Sequence, residues 1–292
     1  MAHGRTETAT ADPMDEVRAV MRAMWSGVAP SWDAYAGDVE TRGKDVSAAM
    51  LAATRTGPGM QVLELACGAG GLGIEAASRV GPAGRVLLTD VADAMVDIAA
   101  RKVAEAGIAN ARTAVTGIEA IDVPDAAFDV VLCREGLMFA IDPAQAVGEI
   151  HRVLRPGGRV AVAVWGGPAD NPWLGLILES ASAVLGEPVP PPGLPGPFAL
   201  ADRDALVALV RGAGLTAVDA TAVDVPLRCA SFDDWWTRCV ALAGPLAQRL
   251  ASLPVGDVDA MREQARAAAA PFTRDGGYEF PGRSLVVSAT RP

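Results

Sequence analysis

The sequence predicts an α/β fold with a mostly parallel sheet covered by helices on both faces. Two observations carry that reading. Short apolar runs between residues 61 and 165 alternate with stretches whose apolar residues recur at helical spacing. A glycine cluster, Gly68-Ala69-Gly70-Gly71, stands where the first apolar run gives way to the first of those helices.

The elements follow in chain order. Residues 1–12 are a polar leader, and Asp12-Pro13 starts a helix with Asp12 as cap and Pro13 at its first position. Val17, Met21, Met24 and Trp25 form its apolar stripe, Trp32 and Tyr35 follow in a short aromatic segment, and a second helix covers Val46 to Thr54. Gly57-Pro58-Gly59 closes this region. Strands are expected at Gln61–Leu65, Val86–Thr89, Arg112–Val115, Phe128–Cys133 and Arg159–Trp165. Between them, Met95, Ile98, Ala99 and Val103 stripe one helix and Ala144, Val147, Ile150, Val153 and Leu154 another, which Pro156-Gly157-Gly158 stops. A proline- and glycine-rich stretch from Gly166 to Pro197 encloses a short helix from Trp173. A helix over Asp202–Gly212, a sixth strand over Leu215–Val225 and a last strand over Arg283–Thr290 complete the sheet, the final two forming an antiparallel edge. Ser231-Phe232-Asp233-Asp234 opens a largely helical insertion between them.

Composition narrows the function. The 292 residues carry a net charge of −10 and are 51% hydrophobic, enough for a packed core and too apolar for a disordered tail. Thirty-five acidic residues against twenty-five basic ones argue against nucleic acid as the main partner. Cys67, Cys133, Cys229 and Cys239 fit neither a zinc pattern nor a disulfide framework. His3 and His151 belong to no metal motif and no triad, so no metal is expected. No signal core opens the chain, and no run reaches the roughly 20 apolar residues of a membrane span. These features lead to an expectation of a cytoplasmic protein with reduced thiols and no membrane partner.

The sharpest motif is Glu64-Leu65-Ala66-Cys67-Gly68-Ala69-Gly70 at the end of the first strand. Glycine there permits a tight turn and lets a ligand approach backbone amides. Gly68, Gly70 and Gly73 also satisfy the dinucleotide pattern, and Asp90 follows at the distance of a ribose-binding acid. The plain alternatives are a ligand-free turn and a helix-capping Asp90.

The ordered runs VLELACGAGG, VLLTD, FDVVLCREGLMF and EIHRVLRPGGRVAVAVW resemble the class I S-adenosylmethionine-dependent methyltransferases. They look most like the small-molecule branch near the ubiquinone/menaquinone-type and natural-product enzymes. The resemblance is strong over residues 58–165, weaker over the amino-terminal helices and last two strands, and weak over 170–200 and 231–282. It implies a Rossmann-like, seven-stranded sheet with an antiparallel last strand and helical lid elements. On that basis residues 1–56 form a helical cover, 57–230 with 283–292 the core, and 231–282 a helical lid to which 170–200 contribute.

The same resemblance implies S-adenosylmethionine as cofactor, with S-adenosylhomocysteine as product. Glu64 supports its methionine end, Ala66, Cys67, Gly68 and Gly70 shape the backbone around it, and Asp90 accepts the ribose hydroxyls. Val91 and Met95 border the adenine, and Gly117 and Ile118 offer backbone groups to its edge. Gly117 departs from the family pattern, which has an acid there; Glu119 is either a substitute or a turn residue. Arg134 and Glu135 lie in the crevice beyond the fourth strand.

The expected acceptor is a largely apolar or aromatic metabolite walled by Trp25, Trp32, Tyr35, Trp165, Trp173, Trp235, Trp236 and Tyr278, with at most one of the adjacent pair Trp235 and Trp236 facing it. Glu135, Tyr35 and Tyr278 are the candidate bases. The readings left open are a non-methylating relative that uses the same cofactor, an NAD(P)-dependent oxidoreductase, and a non-catalytic binding or scaffold protein. Monomer and homodimer are equally compatible with the sequence.

Overall fold

The computed structural model describes residues 13–292; the leader, His3 and the Asp12 cap lie outside the described residues. Two helices come first, α1 (Pro13–Ala34) and α2 (Ala36–Ala53). The alternating region then runs β1 (Gln61–Leu65), α3 (Gly71–Val80), β2 (Arg85–Asp90), α4 (Asp93–Glu105), β3 (Ala111–Val115), β4 (Phe128–Arg134), α5 (Pro143–Val153) and β5 (Leu154–Trp165). Next come α6 (Pro172–Leu185), α7 (Arg203–Gly212), β6 (Thr216–Asp224), β7 (Leu227–Cys229), α8 (Phe232–Leu242), α9 (Gly244–Ala251) and α10 (Val255–Ala269). Three strands end the chain: β8 (Thr273–Arg274), β9 (Gly277–Phe280) and β10 (Arg283–Thr290).

Seven strands form one sheet in the order β3-β2-β1-β4-β5-β10-β6. The first five pair in parallel, and β10 runs antiparallel to both β5 and β6. The expected seven-stranded sheet with a reversed last strand is therefore present. The reversed strand is internal, however, and β6 forms the edge, because β10 returns between β5 and β6.

Strand side chains alternate between two cores. Leu63, Leu65, Val131, Cys133 and Val162 face Val147 and Ile150 of α5 and Leu206 and Val210 of α7. Val62, Val130, Leu132 and Ala161 face Val46, Met50 and Leu51 of α2 and Leu72, Ala76 and Val80 of α3. Burial on both faces explains why these strands read as apolar runs. The expected helix start at Ser231 is present, its side chain accepting from the Asp234 N–H, and Asp202, expected as the first residue of its helix, caps it by accepting from the Asp204 and Ala205 N–H groups.

Four differences concern the cover and the lid. Trp32 belongs to α1, which continues through Pro30, and α2 begins ten residues earlier than expected from its apolar stripe. The carboxylates and glycines of its first turns disguise it as a loop. Val17, assigned to the apolar stripe of α1, is exposed. The lid is not wholly helical, because β7, β9 and β8 form a small antiparallel sheet within it. That sheet starts at Leu227, inside the segment expected to belong to the core.

The lid has a hydrophobic core of its own. Trp173, Ile177 and Leu178 of α6 pack with Phe232, Trp235 and Trp236 of α8, Met261 and Ala265 of α10, and Phe280 of β9. Thus α6 and residues 227–280, separated in sequence, bury one surface together.

Close helix–strand approach at the glycine cluster generates a stability prediction. A Cβ on Gly73 would stand 2.3 Å from Glu64 Oε2 and 2.5 Å from Leu88 Cγ, whereas one on Gly148, within α5, would meet nothing within 4 Å. Gly73→Ala is expected to cost about 2–3 kcal/mol through overpacking. Gly148→Ala is expected to gain roughly 0.5–1 kcal/mol from helix propensity. Paired chemical-denaturation curves measure both, and equal effects would contradict this packing.

Candidate functional site

The parallel strands point their carboxyl ends at one crevice, and β1 and β4 are neighbours there although the chain leaves them in opposite directions. Open α/β sheets bind ligands at such a switch point. The glycine loop fills its floor. Ala66, Gly68 and Gly70 all have left-handed backbone, with φ of 52°, 52° and 85°. That conformation is free for glycine and costs an alanine roughly 1–2 kcal/mol. Ala66 is accommodated because its neighbour is Gly136, where a Cβ would stand 2.4 Å from that of Ala66.

Asp90 ends β2 and ties the loop down. Its Oδ2 accepts from the Gly68 N–H at 3.0 Å, and its Oδ1 accepts from the Ala92 N–H at 3.0 Å. Burial raises its pKa, against the lowering effect of those backbone bonds. Each oxygen retains a lone pair for a further donor. The Cys67 N–H donates to the Thr89 carbonyl at 2.9 Å, fixing the loop to β2 a second time. The Cys67 thiol is buried, and burial holds its pKa well above the usual value.

Glu64 lies beneath the loop, 2% exposed, with Oε2 unpartnered. Burial pushes its pKa up to about 8, although Arg134 and the Gly73 N–H pull it down. Arg134, the last residue of β4, forms a bidentate pair with Glu40 of α2: Nη2 donates to Oε1 at 2.6 Å and Nη1 to Oε2 at 3.1 Å. Nη1 also donates to Ser47 Oγ at 2.6 Å. The Glu40 carboxylate lies directly over Gly71 at the start of α3, within 2.3 Å of where a Cβ would be.

Glu135 follows with φ of 57°, a strained conformation for a side chain of its size. Its Oε1 accepts from Ser284 Oγ at 2.8 Å, while buried Oε2 has no partner. Burial lifts its pKa to about 7, opposed by Ser284, Arg134 and Arg42.

An aromatic cover closes over the loop. The Trp32 ring lies 3.5 Å from the Cβ position of Gly68, and its Nε1 donates to the Leu242 carbonyl at 3.2 Å. Trp25 packs edge-on against Trp32 and Phe139, with centroids 6.3 Å and 4.9 Å away. Met95 is buried with Val28, Ala29 and Ala92 beneath this cover, and Val91 stands at the same turn, partly exposed. Gly117 and Ile118 form a narrow turn in which Gly117 bridges to Ala120 and has open space at its Cβ position.

The structure separates the remaining candidates. Trp165 at the end of β5 and Trp173 of α6 meet edge-on at 5.2 Å, next to Glu135's partner Ser284. Tyr35 stands at the junction of α1 and α2. Trp235, Trp236 and Tyr278 instead belong to the lid core. Trp235 is fully buried and donates through Nε1 to the Trp173 carbonyl at 2.8 Å, Trp236 stacks on Phe232, and Tyr278 stacks alongside the contacting rings of Trp235 and Phe280. Trp235 and Trp236 are corrected from pocket walls to packing, since both are buried, while Tyr278 is partly exposed at the edge of that core. Glu119 is a buried structural residue, accepting from the Asp142 N–H at 2.8 Å and lying 3.6 Å from Arg18. His151 packs beside Gly214.

Sequence reasoning missed Glu40, Arg42, Ser47, Phe139 and Ser284. The mixed charges of residues 38–44 read in sequence as a solvated face, so nothing there signalled these roles. A surface hollow lined by Pro58, Asp129, Arg155 and Gly157 lies at the opposite, amino end of β1 and β4, away from all these groups. Among the described residues no three His, Cys, Asp or Glu side chains group as a metal site, and no helix is long and apolar enough to cross a membrane.

The dinucleotide reading meets a topological obstacle. Its fold continues with a second parallel mononucleotide-binding half, whereas here an antiparallel strand enters beyond β5. Comparison with known proteins agrees. A family model described as a methyltransferase domain matches residues 56–172. The ubiquinone/menaquinone biosynthesis C-methyltransferase of Hydrogenovibrio crunogenus is 41% identical over 106 residues, 36% of this chain and 42% of that protein. The chain spans about half the length of the curated relatives it matches. Among solved structures, the YcgJ protein from Bacillus subtilis superposes with a TM-score of 0.59 at 19% identity, covering 84% of this chain and 97% of that one. The Haemonchus contortus phosphoethanolamine N-methyltransferase 2, in complex with S-adenosyl-L-methionine, gives 0.52 at 15% identity, covering 85% and 52%. Residues 56–172 thus match a methyltransferase domain model, and the sheet that carries them has the fold of these solved structures.

Proposed function

We propose that the protein is an S-adenosylmethionine-dependent methyltransferase acting on a small organic acceptor, with Glu135 as the base where the acceptor must lose a proton. The observation that carries this reading is Asp90, held against the Gly68 N–H at the switch point of a methyltransferase domain. The residues present fit the cofactor. The left-handed backbone at Gly68 and Gly70 leaves no side chain between the loop and the cofactor, and Glu64, with Oε2 unpartnered, is a buried acid whose ionisation the cofactor's cationic end would favour.

Asp90 would hold the ribose hydroxyls through the lone pairs left open by its backbone bonds, and Val91, Met95 and the Gly117-Ile118 turn would border the adenine. Bound S-adenosylmethionine supplies an activated methyl group on a positive sulfur, so the protein's contribution is orientation, water exclusion and proton handling. Trp25 and Trp32 exclude water above the loop. Glu135 suits the proton step because a buried carboxyl with a pKa near 7 divides its population between base and acid at neutral pH. Its bond from Ser284 Oγ holds one oxygen still and leaves the other for the acceptor.

Incubation with S-adenosylmethionine and a panel of phenols, quinols and hydroxy acids tests the reaction. Release of S-adenosylhomocysteine with a product heavier by about 14 Da is expected; cofactor that binds without being consumed across the panel would contradict it.

Asp90→Asn should weaken S-adenosylhomocysteine binding roughly 10- to 100-fold in calorimetric titration, the usual value of bonds to a charged acceptor. Selective binding of a nicotinamide dinucleotide instead would overturn the assignment.

The pH dependence has a definite sign. Glu135 acts as a base only when ionised, so kcat/KM should rise with pH and level off above its pKa of about 7. Glu135→Gln should remove that rise and lower the plateau by about 100-fold or more. An unchanged profile in the variant would exclude Glu135 as the base.

A further inference from the structure

One cation near the carboxyl end of β5 has no ion-pair partner among the described residues. Arg42, on α2, is half-buried, with its Nη2 atom enclosed. Its Nε donates to the Val225 carbonyl at 3.2 Å, its guanidinium carbon lies 3.9 Å from the Trp173 ring centroid and 5.0 Å from that of Trp165, and Nη2 has no partner. No carboxylate pairs with it within ion-pair distance among the described residues. The other two arginines around this crevice differ: Arg134 has Glu40, and Arg238 has Asp234 and Asp38. Removing part of a cation from water without a counter-ion is costly, and two indole faces offset only part of that cost.

The second orphan is Glu135 Oε2, electrostatically coupled to Arg42 but not bonded to it. The remaining groups near Arg42 are the Cys229 and Cys239 thiols, held neutral by burial, and the like charge of Arg238. A donor cation and a carboxyl oxygen thus both lack partners beside the edge-on pair Trp165 and Trp173. A ligand with an anionic oxygen for the first and an ionisable group for the second satisfies both.

Resting on the methyltransferase reading above, we propose that the acceptor is a small planar hydroxy acid, aromatic or enolic, whose carboxylate pairs with Arg42 beside Trp165 and Trp173 while its hydroxyl-bearing part faces Glu135. Arg42 is then the residue that selects anionic over neutral acceptors. An alkylammonium acceptor is disfavoured by the same cation.

The test is calorimetric titration of the protein, saturated with S-adenosylhomocysteine, with 1-hydroxy-2-naphthoate and with the neutral 1-hydroxy-2-naphthamide. The acid is expected to bind at least about tenfold more tightly, the usual worth of a charge-assisted pair. Arg42→Gln should abolish that preference and Arg42→Lys restore part of it, with S-adenosylhomocysteine affinity within about twofold of wild type in both. Equal binding of acid and amide by the wild type, no binding of either at millimolar concentration, or a preference that survives in Arg42→Gln would each overturn the proposal. The wild-type comparison stands even if a variant fails to fold. The two readings fail separately: loss of the acid preference with S-adenosylhomocysteine bound removes only the acceptor class. A protein that binds no S-adenosylhomocysteine, yet prefers the acid through Arg42, loses the methyltransferase reading and keeps the anion site.

Discussion

The bidentate ion pair between Arg134 and Glu40 holds together what is built on the carboxyl ends of the strands. It joins the last residue of β4 to the first turns of α2, ninety-four residues apart in the chain. The guanidinium is nearly buried, so the pair is desolvated on one side and strengthened by its parallel geometry. Where it is anchored, α2 must pass close: a Cβ on Gly43 would stand 2.9 Å from Arg134 Nη1, and the Glu40 carboxylate covers Gly71. With α2 held there, Arg42 two residues on is directed toward the indoles of Trp165 and Trp173, away from the glycine loop. Breaking the pair by removing Glu40 would leave a buried charge at the crevice, which is why the cover and the site cannot be separated energetically.

The acids of the crevice share one physical condition. Glu64, Asp90 and Glu135 are all buried, and in each burial is the largest influence and raises the pKa. They differ in what opposes it. Asp90 has backbone N–H donors on both oxygens, Glu135 has the Ser284 hydroxyl with Arg134 and Arg42 nearby, and Glu64 has Arg134 and the Gly73 N–H. On the proposed reading these would serve as a carboxylate for hydroxyl donors, a group that exchanges a proton near neutrality, and a buried acid whose ionisation a bound cation would favour.

Local patterns made the central half of the molecule legible. Apolar runs between helical stripes are dictated by burial on both sheet faces, Gly68 and Gly70 are specified by left-handed backbone, and Asp90 follows at the end of the next strand. Glu40 and Arg42 were opaque for the opposite reason. On an amphipathic helix, charges read as a solvated face, and only contacts with β4 and α6 reveal that these two are covered. The lid misled in a related way. Trp235 and Trp236 looked like pocket walls because aromatic side chains suit both roles, and only the partners brought in by α6 and β9 decide that they are packing. The small sheet of β7, β8 and β9 was invisible because strands of two to four residues carry too little periodicity.

Trp165 shows how the lid and sheet communicate. It ends β5, packs at the margins of both sheet-face cores and of the lid core, meets Trp173 edge-on and lies under the Arg42 guanidinium. Asn171 reinforces the same junction: its amide donates to the Gly166 and Arg283 carbonyls, and its Oδ1 accepts from Trp173 Nε1 and the Arg283 N–H. The chain therefore leaves β5 for the lid and returns from it into β10 through one fully hydrogen-bonded amide, at the level of Ser284 and Glu135. A displacement of α6 is transmitted to this junction because close-packed interiors repack between discrete arrangements more readily than they stretch. If the acceptor proposed above seats against Trp165, it would contact this junction and, through Ser284, the carboxyl proposed to receive the proton.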